Sequence, residues 1–285
     1  MIEMPSLAVR VEPATRVEHR IEYIPSPRGR LYVCASKPPE ASTCVMICSS
    51  IFGDFAANYH RERLLSEAIS SSGHGAIRFH YAGEGNSHGD RRIMTFESMC
   101  EDADTVMEYA HSMGFTKFGV LGTRVGGLVA AAIVSSKRSV PLALWEPVAD
   151  PLRLISEAQR ARRISQMAQF IDVQTSQWRT ELVERGVIDL LGYDVHPELV
   201  ESLGRVDLLT ILGSITRPVF IARFRGGLGE RDDVAQTLIG RGFSVDVGQY
   251  GLAESWWFDR DTTVESRDLH AATTAWLSAA LAARQ

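Results

Sequence analysis

The chain has 285 residues, 45% hydrophobic and 23% charged, and its 30 basic and 35 acidic residues leave a net charge of −5. That length supports one large domain or two small ones around a sizeable core, and the composition is that of a soluble globular protein. The charge balance lacks the basic excess of a nucleic-acid binder, no apolar run is long enough to span a membrane, and residues 1–15 lack the apolar stretch of a signal peptide. A cytoplasmic protein with no nucleic-acid and no membrane partner is expected.

Residues 17–23 and 30–35 alternate apolar and polar side chains around Pro25-Ser26-Pro27-Arg28-Gly29, which predicts an antiparallel hairpin. Residues 43–48 are continuously apolar, hence a buried strand. Residues 59–72 have helical spacing, with Leu64, Leu65, Ala68 and Ile69 on one face. A strand over 75–81 leads into a glycine-rich loop, 82–89, and an amphipathic helix follows over 96–113. Cys34, Cys44, Cys48 and Cys100 lie in or beside apolar segments without C-x-x-C spacing, so they are expected to be buried reduced thiols.

The most informative stretch comes next. Phe118-Gly119-Val120-Leu121 is a buried strand, Gly122-Thr123-Arg124-Val125-Gly126-Gly127 a turn crowded with glycine, and Leu128-Val129-Ala130-Ala131-Ala132 the start of a buried helix. In the G-x-S-x-G nucleophile elbow the tip of such a turn is serine. Here it is Arg124. Residues 142–145 form another buried strand, ending at Glu146-Pro147. Over 151–212 no strand signal is evident, and charged helix formers dominate; this segment is expected to be an inserted helical cap. Strand signals return at 218–223 and 243–247, with a helix over 232–241 between them and a closing helix over 264–283. Strands alternating with helices indicate a mostly parallel α/β sheet with helices on both faces. The expected division is a core of 1–150 and 213–285 with a cap of 151–212.

Three motifs in order now carry a resemblance. The turn 122–127, the run His80-Tyr81-Ala82-Gly83-Glu84-Gly85-Asn86-Ser87 after the preceding strand, and Ser49-Ser50-Ile51-Phe52-Gly53 after the strand before that resemble the nucleophile elbow, the D-x-R-G-x-G-x-S loop and the oxyanion loop of the α/β-hydrolase superfamily. The resemblance implies the α/β-hydrolase fold over nearly the whole chain. Leu144-Trp145-Glu146-Pro147-Val148, together with the elbow, is similar to hydrolases associated with exosortase A. A second similarity is to α/β-hydrolase-like enzymes of spirotetronate biosynthesis, which eliminate acetate.

The family's Ser-His-Asp triad is incomplete here. Arg124 replaces the serine, and the loop 250–258, where the resemblance places the histidine, has none. His270 falls inside the closing helix, on an expected solvent-facing side. Glu230, Asp232 and Asp233 stand where the acid would be, or are the polar start of a helix.

Arg124 has two open roles: an anion receptor at a helix N-terminus, or a buried salt-bridge anchor to Glu146 or Asp150. Glu146 is a candidate base or a plain strand terminus. The amides of Ile51 and Val125 are candidate oxyanion donors, with Ser50 and Asp54 beside them. Glu254 is a candidate catalytic carboxylate, and Trp256 and Trp257 wall a pocket or pack the core. His60 is expected at the surface, and His80 in a structural hydrogen bond. No metal spacing and no phosphate cradle is present, so no metal and no cofactor is expected.

The expected function is an α/β-hydrolase-fold enzyme without an acyl-enzyme, acting on an acylated small molecule and eliminating a carboxylate such as acetate in bacterial secondary metabolism. Two alternatives stand beside it: ester hydrolysis by carboxylate-activated water, or a non-catalytic pocket-binding protein. A homodimer is left open.

With arginine at the elbow, a fluorophosphonate probe is expected to leave the protein unlabelled. Stoichiometric labelling of any serine, mapped by mass spectrometry, would contradict the loss of the nucleophile.

Overall fold

The computed structural model describes residues 8–12, 16–136, 140–168, 178–190, 192–215, 218–224, 234–250 and 266–283. The expected hairpin is present and longer than its periodicity indicates: β2 (Glu18–Ser26) pairs antiparallel with β3 (Gly29–Lys37), Ile24 facing Leu31. An edge strand the sequence did not signal, β1 (Ala8–Val11), pairs antiparallel with β2; all four of its residues are exposed, so it carries no burial pattern.

The apolar runs become β4 (Thr43–Cys48), β5 (Gly75–Phe79), β6 (Lys117–Thr123), β7 (Leu142–Trp145) and β10 (Val219–Phe224), followed by β11 (Val245–Tyr250). Among the described residues these form one sheet in the order β1-β2-β3-β5-β4-β6-β7-β10-β11, parallel from β5 to β11.

Helices cover both faces. On one face, α1 (Phe52–Ser71) and α9 (Arg267–Ala282) pack over Val45, Ile47, Leu121, Ala143 and Trp145. On the other, α2 (Phe96–Ser112) and α3 (Gly126–Ser136) cover Met46, Val120 and Leu144, with α8 (Val234–Gly240) in the same cluster. α2 starts at a capping box, in which Thr95 and Ser98 satisfy each other's backbone amides. α3 is apolar nearly all round because it is buried on nearly all sides. Cys44 and Cys48 are buried and Cys34 and Cys100 half-buried, all four as free thiols.

Between β7 and β10 lie α4 (Pro151–Ala168), α5 (Trp178–Arg185), α6 (Pro197–Gly204) and α7 (Leu208–Leu212). The absence of strands expected here does not hold. β8 (Ile188–Leu190) and β9 (Tyr193–Val195) form a small antiparallel hairpin of their own, turned at Gly192, whose N–H donates to Asp189 Oδ1 at 2.8 Å. Strands of three residues are too short to show a two-residue period. Ile155, Ile188, Leu199 and Leu212 from this segment join the apolar cluster of α2 and α3.

His270 also departs from expectation. It is 7% exposed, not solvent-facing, and its ring stacks on Trp145 at 5.8 Å between centroids. The indole N–H donates to Thr273 Oγ1 at 3.0 Å. α9 turns this face to the sheet, and no helical periodicity distinguishes a buried histidine from an exposed one. Burial, with Arg61 adding to it, lowers the His270 pKa to about 4. The unfolded side chain titrates near about 6.5. Its stabilising contribution is therefore complete above about pH 6.5 and is lost as the pH falls towards 4, by up to about 3 kcal/mol. His270→Phe, which keeps a ring against Trp145, is expected to gain on the native protein in urea unfolding as the pH is lowered through that window. A stability difference that stays constant across it would show that His270 does not titrate this way.

Candidate active site at the strand–helix turns

Phe52, Arg124 and Glu146 follow β4, β6 and β7, three adjacent parallel strands, and all three have positive φ: 57°, 52° and 44°. Such backbone costs a side-chain-bearing residue about 1–3 kcal/mol, persists only where its surroundings hold it, and collects at functional sites. The turn into α3 is tight. A Cβ on Gly126 would stand 2.1 Å from the Cys48 carbonyl oxygen and 2.4 Å from that of Ser49, so only glycine lets the elbow approach the loop after β4 so closely.

Arg124 is 7% exposed. Its Nε donates to Asp54 Oδ2 at 3.1 Å, and a terminal nitrogen donates to Glu157 Oε2 at 2.6 Å. Asp54 is in the first turn of α1, and its Oδ2 also accepts from Ser50 Oγ at 3.3 Å. Glu157 is on α4, and its other oxygen pairs with Arg153 at 3.2 Å. Burial disfavours the guanidinium charge, but the two carboxylates outweigh it and raise the pKa above that of an ordinary arginine. The expected anchor partners, Glu146 and Asp150, are thus replaced by Asp54 and Glu157. Asp54 was a candidate for its place beside the oxyanion-like loop. Glu157 had no distinguishing signal, since its spacing from Arg153 is that of any surface pair on a helix.

Glu146 is 8% exposed, and its Oε2 accepts from the Phe224 N–H at 2.9 Å. Among the described residues Oε1 accepts no hydrogen bond. Burial raises the carboxyl pKa against the opposing pull of the Phe224 amide and Arg124. A carboxyl so placed is a stronger base than an exposed one.

The loop after β4 is fixed from below, where Ser49 Oγ donates to Glu62 Oε2 of α1 at 2.5 Å. Among the described residues the backbone N–H groups of Ile51 and Val125 make no hydrogen bond, whereas the Phe52 N–H donates to Glu84 Oε2 at 3.3 Å. Ser50, Ile51, Asp54, Arg124 and Val125 are therefore brought together, with Glu146 at the end of the neighbouring strand. Glu254, Trp256 and Trp257 lie outside the described residues, as do Glu230, Asp232 and Asp233. His60 is exposed. His80 is buried, and its Nδ1 accepts from the Asn86 N–H at 2.8 Å, the structural role expected of it. Among the described residues no three His, Cys, Asp or Glu side chains are grouped to hold a metal ion, and no helix is long and apolar enough to cross a membrane.

No protein-family model and no curated protein matches the sequence. Solved structures do match. One is the ferulic-acid complex of Est1E from Butyrivibrio proteoclasticus, with a TM-score of 0.66 at 15% identity over 92% of this chain and 99% of that one. The Pyrococcus furiosus esterase PF2001 matches with a TM-score of 0.64 at 15% identity, over 99% of this chain and 98% of that one. XC6422 from Xanthomonas campestris, described as an α/β serine hydrolase without a lid, matches with a TM-score of 0.59 at 12% identity, over 97% and 100%. The chain has the α/β-hydrolase fold. In it, Arg124 stands at the tip of the β6–α3 turn, and α4 is tied to that tip through Glu157.

Removing the guanidinium strands the buried Asp54 carboxylate and leaves Glu157 only its pair with Arg153. Arg124→Met is therefore expected to cost about 3–5 kcal/mol in chemical denaturation. Arg124→Met combined with Glu157→Gln should recover part of that loss. An unchanged melt for the single variant would mean that the two ion pairs hold nothing.

Proposed function

We propose that this protein is an α/β-hydrolase-fold enzyme that works without an acyl-enzyme and expels a carboxylate from an acylated small molecule. The observation that carries this reading is the set of left-handed residues at the ends of β4, β6 and β7, with an arginine at the turn after β6 and a Glu146 carboxylate oxygen that accepts no hydrogen bond among the described residues. Elimination needs a base and a receiver for departing negative charge, and no nucleophile.

In this reading Glu146 Oε1 takes a proton from the carbon next to the one bearing the acyloxy group. The C–H electron pair becomes the new C=C bond, the C–O bond breaks, and its electrons leave with the carboxylate. The Ile51 amide at the start of α1 and the Val125 amide at the start of α3 receive that carboxylate. Ser50 and Asp54 hold the guanidinium in place. Segment 151–212 acts as the cap, with Glu157 tying it to the elbow.

Hydrolysis by water that Glu146 activates is the second reading. The Ile51 and Val125 amides, without hydrogen bonds among the described residues, favour it, since they suit a tetrahedral oxyanion equally well, and the matched Pyrococcus furiosus PF2001 is an esterase.

An acyloxy carbonyl compound turned over in ¹⁸O-water separates the two. Elimination releases carboxylate free of ¹⁸O together with an alkene, whereas attack of water on the acyl carbon places one ¹⁸O in the carboxylate. Under either reading Glu146→Gln is expected to slow turnover by about 10²- to 10⁴-fold. A Glu146→Gln variant with undiminished turnover rejects Glu146 as the base. Tight binding of acylated compounds with neither product would favour a non-catalytic pocket.

A further inference from the structure

Tyr193 lies on β9, in the small hairpin between β7 and β10, far in sequence from the loop after β4. Its ring nevertheless packs against the Phe52 ring, 5.8 Å between centroids at 52°. The Arg91 guanidinium stands 4.8 Å from the Tyr193 centroid. Arg91 is 3.5 Å from Glu84 Oε1, and Glu84 Oε2 accepts from the Phe52 N–H at 3.3 Å. The contacts close a circuit: Phe52 ring, Tyr193 ring, Arg91, Glu84, and back to the Phe52 amide. Phe52 is the residue with φ of 57°, and it directly follows Ile51.

We infer that Tyr193, acting with Arg91 and Glu84, is a positioning residue that sets the Ile51–Phe52 turn, so that the hairpin's place on the protein controls the direction of the Ile51 N–H. Left-handed backbone on phenylalanine relaxes unless something opposes it. Two contacts do so here: the Glu84 carboxylate grips the amide, and Tyr193 covers the ring. Glu84 is 2% exposed, so water competes little for that hydrogen bond. Arg91 serves both contacts at once, as the counter-charge of Glu84 and as the cation over the Tyr193 face. Losing the hairpin contact therefore weakens both restraints on the turn. The functional consequence rests on the proposed role of the Ile51 amide; the mechanical coupling does not.

Hydrogen–deuterium exchange tests the coupling without a substrate. In Tyr193→Ala, amides of residues 51–55 are expected to exchange at least about fivefold faster, while residues 267–282 stay as in the native protein. Tyr193→Phe, which keeps the ring, should behave as the native protein. Coupling is reciprocal, so the nearly isosteric Glu84→Gln should speed exchange both at 51–55 and in the hairpin at 190–195. A rise confined to the hairpin in Tyr193→Ala, or one spread equally over 267–282, overturns the inference. With an acyloxy substrate that the native enzyme turns over, Tyr193→Ala should lower kcat more than it raises KM. A change in KM alone would make Tyr193 a pocket wall and not a positioning residue. Failure of the elimination reading leaves the exchange result standing, so the two are told apart.

Discussion

The edge of the sheet that carries the site is organised by one buried guanidinium. Arg124 sits at the tip of the β6–α3 turn with its charge matched by Asp54 from α1 and Glu157 from α4. A guanidinium out of water must be paired, and each of these pairs spans elements that no local interaction would bring together. The first turn of α1, the elbow and the start of the 151–212 segment are fixed relative to one another by this single side chain. Arg153 extends the chain of charges through its own pair with Glu157.

Around that centre the backbone is held in unfavourable conformations at three adjacent strand ends, and each is opposed by a specific contact. Arg124 N–H donates to the Trp145 carbonyl, Glu146 N–H to that of Ala222, and Phe52 N–H to Glu84, at 2.9, 2.9 and 3.3 Å. Among the described residues Glu146 Oε1 and the Ile51 and Val125 amides accept or donate no hydrogen bond there, and buried Thr123 Oγ1 and Glu62 Oε1 have no partner either. A site built on strand ends, with turns fastened to helices beneath, is also more rigid than one built on loops alone.

Much of the architecture was legible in the chain because it is written in local patterns. The runs at 43–48 and 142–145 coincide with β4 and β7, since a strand buried on both faces needs apolar residues at every position. The glycines around Arg124 announced a sharp turn, and the space at Gly126 shows the steric reason. β1 and the β8–β9 hairpin were missed, the first because exposed strands carry no hydrophobic alternation, the second because three residues are too few to show a period. α1 begins at Phe52, seven residues ahead of the apolar pattern that marked it, because its first turns bury polar Asp54 and Asn58, which break that pattern.

The sequence by itself determined that an arginine stands in a glycine-crowded strand-to-helix turn, that a mostly parallel sheet with helices on both faces surrounds it, and that Asp54 and Glu146 lie near the strand ends. Only the tertiary structure decided which carboxylates hold Arg124, that His270 is buried against Trp145, and that Tyr193 reaches Phe52. The reason is physical. Periodicity and turn chemistry act over a few residues, whereas Asp54 and Arg124 are 70 apart in sequence and Arg124 and Glu157 are 33 apart. Such pairings are chosen by how helices land on the finished sheet, and nothing in the local chain encodes that.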